Sequence, residues 1–162
     1  MPLTKKLIKF LSKIKYEPIS HRTVYTAFDK AKTLKVPEKI VGKTLVIKMD
    51  GDFALVLIPA NKILDIKKFL KIANKQKKKR FLHADFVTEA WIKKNLKGVK
   101  VGAIPPFGNL WHLATFVEGS LLKEPKIIIN GGDYNSSIKI SPASLKKLIP
   151  DLIIGSFTKV KK

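Results

Sequence analysis

Few side chains in this sequence are placed to do chemistry, and the first is Lys43, which opens the apolar run Thr44-Leu45-Val46-Ile47. A lysine at the mouth of a buried strand reads in two ways. It is an edge residue whose stem packs while its ammonium reaches water, or a charge held at a pocket. The second stretch is Gly102-Ala103-Ile104-Pro105-Pro106-Phe107-Gly108. Its prolines stiffen the backbone, and its glycines let that backbone approach something closely. One cation and a set of backbone amides can bind and polarise an ester or phosphate without supplying a nucleophile.

Competing chemistry is hard to find. His21, His83 and His112 share no ligand spacing with one another or with acids, so no metal is expected. His112, beside Trp111, reads as a packed or surface imidazole, whereas the role of His21 stays open. Asp50 and Asp52 flank Gly51 in a turn, where aspartate is expected for backbone reasons. The chain has no cysteine, hence no disulfide, thiolate metal site or thiol nucleophile. No phosphate-binding loop, dinucleotide fingerprint, HExxH zinc helix or nucleophile elbow occurs, so no cofactor is expected.

The elements that must position these residues follow from periodicity. Residues 42–48 and 53–60 are β-branched runs around the turn at Asp50-Gly51-Asp52 and predict a hairpin buried on both faces. Lys48, on the same strand, reads as structural. Leu3, Leu7, Ile8, Leu11 and Ile14 form one stripe among lysines, an amphipathic helix within residues 1–15. Such a helix either lies on a membrane surface or covers its own domain, and the second reading is preferred. Residues 16–19 read as extended, since the residue before Pro18 avoids the helical region.

Thr26 is the expected N-cap of a helix over 27–34, stopped at Val36-Pro37. Further helices are expected over 61–73, 84–96 and 142–148, the last capped by Ser141. Short strands are expected at 81–82, 99–101, 115–117, 126–129, 137–140 and 153–154, with a turn at Asn130-Gly131-Gly132-Asp133. The run Lys75-Gln76-Lys77-Lys78-Lys79-Arg80 reads as an exposed loop and the best local phosphate patch. Together these predict one α+β domain over residues 1–162. Its sheet is mixed, largely antiparallel and partly barrel-like, surrounded by helices, with a basic tail over 158–162.

Charge is the strongest global feature: 33 Lys and Arg against 12 Asp and Glu give a formal net charge of +21. Such a field draws polyanions, most plausibly nucleic acid, although a proteome-wide bias toward lysine would raise the charge with no partner. The only arginines are Arg22 and Arg80, so backbone attraction is expected rather than base reading. Neither a membrane span nor a signal peptide is apparent, and the expected location is the cytoplasm.

His21 with Val24-Tyr25-Thr26, then Lys43-Thr44-Leu45-Val46, the 102–108 stretch, and Asn130-Gly131-Gly132 with Ser137-Ile138 occur in an order and spacing that resemble a known family. It is the YbaK/prolyl-tRNA-synthetase-associated domain family of aminoacyl-tRNA editing proteins. The resemblance implies a free-standing, metal-independent deacylase that cleaves the ester of a mischarged aminoacyl-tRNA, typically Ala or Cys on the proline tRNA. Lys43 would be its key residue, and Gly102 would belong to a Gly-x-x-x-Pro loop completed by Pro106. Backbone groups of that loop would hold the substrate carbonyl or the attacking water, which a ribose hydroxyl of the terminal adenosine helps to activate.

By the same resemblance, His21, Tyr25, Thr26, Thr44, Ile104, Pro106, Phe107, Gly108, Gly132 and Ser137 would contact substrate. Lys75, Lys77, Lys78, Lys79 and Arg80 are assigned to tRNA phosphates, and prolyl-tRNA synthetase is an expected partner. Ser137 replaces an aspartate of the Cys-specific members, and Ala103 and Pro105 replace Gly and Ser of their loop. Asp133 and Tyr134 stand close in sequence to that missing acid. The rival reading is a non-catalytic RNA-binding module of the same fold.

Overall fold

The computed structural model describes residues 4–161. Leu3, expected on the stripe of the first helix, and Lys162, at the end of the basic tail, lie outside the described residues. Helix α1 spans Lys5–Leu11, with Thr4 Oγ1 accepting from the Leu7 amide at 3.3 Å. Leu7 and Leu11 are buried in one core cluster with Phe107 and Leu145, so the helix covers its own domain. Leu7 and Leu11 of the stripe are thus engaged internally, each contributing about 1.5–3 kcal/mol, while Ile8 stays 45% exposed. Strand β1 spans Glu17–Ser20, and α2 spans Ala27–Leu34, where Thr26 Oγ1 accepts from the Asp29 amide at 3.0 Å.

The hairpin forms as expected from β2, Gly42–Met49, and β3, Asp52–Pro59, paired in register from Gly42↔Pro59 to Met49↔Asp52. Asp50 takes the left-handed conformation (φ 53), and its carboxylate accepts from the amides of Leu82 and His83. Strand β3 is buried through nearly its whole length; β2 is only partly covered.

Between residues 61 and 96 the order differs from expectation. Residues Lys62–Leu64 form strand β4, and the helix, α3, spans Ile66–Lys77 behind an Asp65 N-cap. The charged run at 75–80 is therefore helical at its start, and the helix stops at Lys78, which takes the left-handed conformation. Phe81 is not in a strand: Asn74 accepts from its amide and donates to its carbonyl, closing the turn after α3. Residues Ala84–Phe86 are strand β5, bound to the edge of β2, and α4 is shortened to Glu89–Asn95 behind a Thr88 N-cap.

The remaining strands are β6 (Ala114–Glu118), β7 (Ile127–Asn130), β8 (Ser136–Ile140), β9 (Ile153–Gly155) and β10 (Thr158–Val160). Helix α5 spans Pro142–Leu148 with the expected Ser141 cap. The strands lie in three open sheets, ordered β5-β2-β3-β6-β9, β1-β8-β7 and β10-β4. The first is mixed, because β6 runs parallel to both β3 and β9. Among the described residues no barrel closes; a parallel bridge, Val41↔Ile128, links the segment before β2 to β7. Within the expected basic tail, Thr158–Val160 form β10, which pairs with β4.

The two faces of β2 serve different ends. Val46 packs with Leu55, Ile92, Leu96 and Ile104, toward α4 and the 102–108 stretch. Leu45 and Ile47 pack with Phe69, Phe116 and Phe157, toward α3. Alternation puts Thr44 in phase with Val46, and Lys43 in phase with Leu45 and Ile47.

Candidate functional site

Residues 99–101 form no strand. The segment is instead tied to the turn after β7: the Lys100 amide donates to the Gly132 carbonyl at 2.8 Å, and the Gly132 amide to the Ala103 carbonyl at 3.0 Å. Gly102 (φ 84) and Gly132 (φ 99) both take a conformation that costs other residues about 1–2 kcal/mol. Tyr134 Oη donates to the Val101 carbonyl at 2.6 Å, and the Tyr25 ring meets Tyr134 edge-on with centroids 4.8 Å apart. Tyr25 itself is 66% exposed. Between these tyrosines, residues 98–102 and α4 opens a cleft of ≈ 670 Å³, lined also by Glu89, Lys93, Lys97 and Lys100.

A smaller, largely apolar cavity of ≈ 130 Å³ shares Lys97, Gly98 and Val99 with the cleft and has Leu7, Pro105, Leu110, Trp111 and Gly132 in its walls. Gly102 is exposed, whereas Ala103 through Gly108 are buried. The stretch therefore offers one open backbone position at the cleft and anchors itself in the core behind it.

Among the other expected substrate contacts, His21 and Ser137 come together, Nε2 to Oγ at 2.8 Å, and Ser137 is fully buried. Ile104 is buried, and its carbonyl accepts from Asn130 Nδ2 at 3.1 Å. Pro106 is buried behind it. Thr44 Oγ1 is buried with no hydrogen-bond partner. Three of the expected contacts also hold structural roles. The Thr26 hydroxyl caps α2, Phe107 lies in the core 5.0 Å from the ring of Phe10, and Gly108 donates its amide to Thr115 Oγ1.

The lysines sort by environment. Lys43 is half-buried; desolvation lowers its pKa, Lys161 lowers it further, and Glu38 opposes both. It is not among the residues lining the cleft. Lys75, Lys77, Lys78, Lys79 and Arg80 stand exposed at the end of α3, with Lys79 paired to Asp52 at 2.9 Å, and none lines the cleft. Lys93, Lys97 and Lys100, which do, carry no signal in the sequence that separates them from solvated surface lysines.

Lys30 stands apart from these. It is 5% exposed, donates from Nζ to Asn130 Oδ1 at 2.6 Å, and has its pKa pushed down to about 8 by desolvation, against the attraction of Asp133. Its signal in the sequence is its spacing: Ala27, Lys30, Ala31 and Leu34 follow the i, i+3, i+4, i+7 pattern of a buried stripe.

The family model of the aminoacyl-tRNA editing domain matches residues 21–148. The fold is similar to the crystal structure of the hypothetical protein APE2540, with 21% identity, a TM-score of 0.79, and coverage of 96% of this chain and 98% of that one. It is also similar to that of a candidate trans-editing enzyme for prolyl tRNA synthetase, with 18% identity, a TM-score of 0.75, and coverage of 96% and 94%. At such identities the likeness establishes the fold. No curated protein matches the sequence significantly.

Proposed function

The chain belongs to the aminoacyl-tRNA editing domain family, and from that premise we propose that it is a cytoplasmic trans-editing hydrolase acting as one domain. It cleaves the ester joining a small, wrongly attached amino acid such as Ala or Cys to a tRNA, the proline tRNA in particular, alongside prolyl-tRNA synthetase. The observation that carries this reading is the cleft at Gly102, where a rigid open backbone, an exposed tyrosine and three lysines converge. The exposed Tyr25 ring offers the terminal base a stacking surface, an interaction worth about 1–3 kcal/mol. Lys93, Lys97 and Lys100 meet the phosphates of the acceptor end. Lys75, Lys77, Lys78, Lys79 and Arg80 meet phosphates farther along the tRNA.

With the acceptor end seated there, the ester carbonyl lies against the open backbone at Gly102. That backbone is held before substrate arrives, so little reorganisation opposes the charge that develops during attack. A ribose hydroxyl of the terminal adenosine assists the attacking water, and no metal is required. Lys43, which lies outside the cleft, is the catalytic cation and acts on the phosphate adjacent to the ester rather than on the carbonyl at Gly102. The ≈ 130 Å³ cavity beside Gly132 suits a small side chain. Size alone gives only about 1–3 kcal/mol per methylene, so the tRNA contributes to selection.

The test is a panel of mischarged tRNAs incubated with purified protein, with amino-acid release compared against spontaneous hydrolysis. Faster release of a small amino acid supports the reading. The binding-only alternative draws on one observation: Ser137, at the position of the family aspartate, is buried and bound to His21. Salt-sensitive tRNA binding without turnover on any member of the panel would favour it.

A further inference from the structure

A lysine in the buried stripe of a helix is costly unless something uses it, since desolvation disfavours its charged form. Lys30 sits in that stripe and reaches across to β7. Its Nζ donates to Asn130 Oδ1 at 2.6 Å, and the same amide donates from Nδ2 to the Ile104 carbonyl at 3.1 Å. Both bonds are buried. Ile104 lies two residues after Gly102 and directly before Pro105, whose nitrogen carries no hydrogen to bond.

The geometry points to Lys30 as a positioning residue for the Gly102 site: through the Asn130 amide it fixes the Ile104 carbonyl and the path of residues 102–106. Chemistry dictates the direction of the relay. An ammonium only donates, so it accepts just one orientation of the Asn130 amide, with Oδ1 toward Lys30 and the NH2 group toward Ile104. The flipped amide would set NH2 against the ammonium and oxygen against oxygen. Asp133, three residues beyond Asn130, is the charged group whose field reaches Lys30, and it favours the ammonium. Loss of the proton leaves an amine that still donates but more weakly, and that also accepts, so the amide is no longer held to one orientation. Lys30 touches neither the cleft nor substrate; its effect passes entirely through Asn130.

This inference rests on the editing reading only for its kinetic consequence, so the experiment has one arm without substrate. Carbon-detected NMR follows the carbonyl carbons of Ile104 and of the Asn130 side chain from pH 6.5 to 10 in the full chain. In the wild type both are expected to move with one shared midpoint near pH 8, and the Ile104 movement should vanish in Lys30→Met. Static Ile104 shifts in the wild type, which need no variant to fold, would overturn the coupling. An unchanged titration in a folded Lys30→Met protein would do the same.

In the second arm, deacylation of whichever mischarged tRNA the wild type hydrolyses is expected to lose about 10-fold or more in kcat in Lys30→Met, with KM little changed. Its pH profile should lose the break near 8, and Lys30→Arg, which keeps a buried donor, should recover part of the rate. A folded Lys30→Met enzyme with wild-type kcat and pH profile contradicts the positioning role. If the wild type hydrolyses nothing, the editing reading fails while the NMR arm still decides the coupling.

Discussion

His21 and Ser137, 116 positions apart in the chain, meet at 2.8 Å between Nε2 and Oγ. The other ring nitrogen, Nδ1, lies 2.8 Å from the Arg22 carbonyl, which can only accept. Nδ1 therefore carries the proton, and in the neutral imidazole Nε2 accepts from the Ser137 hydroxyl. The pair fastens the start of the 21–26 segment, which carries Tyr25, to β8. Replacing Ser137 by Ala leaves a partly buried acceptor without its donor. The expected cost is about 1 kcal/mol, or about 2–4 °C in Tm by calorimetry.

Gly102 and Gly51 should respond differently to the same substitution. Gly102 holds φ 84, where any side chain is strained, although the nearest atom to an added Cβ is the Tyr25 carbonyl oxygen at 3.6 Å. Gly102→Ala should cost about 1–2 kcal/mol of stability and reduce deacylation more than stability alone explains. At Gly51, where nothing lies within 4 Å, alanine should leave Tm and activity almost unchanged. Gly108→Ala forms the opposite extreme: its Cβ would collide with the Leu113 carbonyl and the Thr115 hydroxyl, a cost of about 1–3 kcal/mol or more.

The lowered pKa of Lys30 has a thermodynamic counterpart. Between its folded value of about 8 and the usual 10.5, the unfolded chain keeps this proton while the folded chain has released it. Stability therefore rises with pH across that window, and the penalty is greatest below pH 8. Relative to Lys30→Met, the wild type should gain on the order of 3 kcal/mol between pH 8 and 10.5, read as the difference between two urea-unfolding series.

The cluster at the end of α3 is tested by salt. Replacing Lys75, Lys77, Lys78 and Arg80 by Gln, while leaving Lys79 in its pair with Asp52, should flatten the dependence of log Kd for tRNA on log salt. The change is about 0.7–0.9 for each phosphate contact removed. An unchanged slope would assign these residues to solvent.

What could be read from the sequence divides by range. Helices α2 and α5 were legible because their caps, Thr26 and Ser141, act within three residues. The hairpin was legible because its turn joins adjacent strands. Strand β4 was absorbed into a helix because its partner, Thr158–Val160, lies at the far end of the chain. Strand β5 was lost for the same reason, since only pairing with β2 makes it a strand. At the site, Gly102, Tyr25 and Gly132 stood out by residue type and order. Phe107 resembled a pocket wall, but α1 packs over it and makes it core. The stripe spacing of Lys30 marks a buried position, but its role is not legible locally because its partner, Asn130, is 100 positions away.

The central claim is tested most directly by single-turnover deacylation of alanyl- and cysteinyl-tRNA, on proline tRNA and on a wider panel, with wild type, Lys43→Ala and Gly102→Ala. The expected result is release of a small amino acid well above the buffer rate by the wild type. Both variants should fall about 10-fold or more while remaining folded by circular dichroism. A folded wild type that releases no amino acid faster than buffer from any tRNA in the panel would contradict the account.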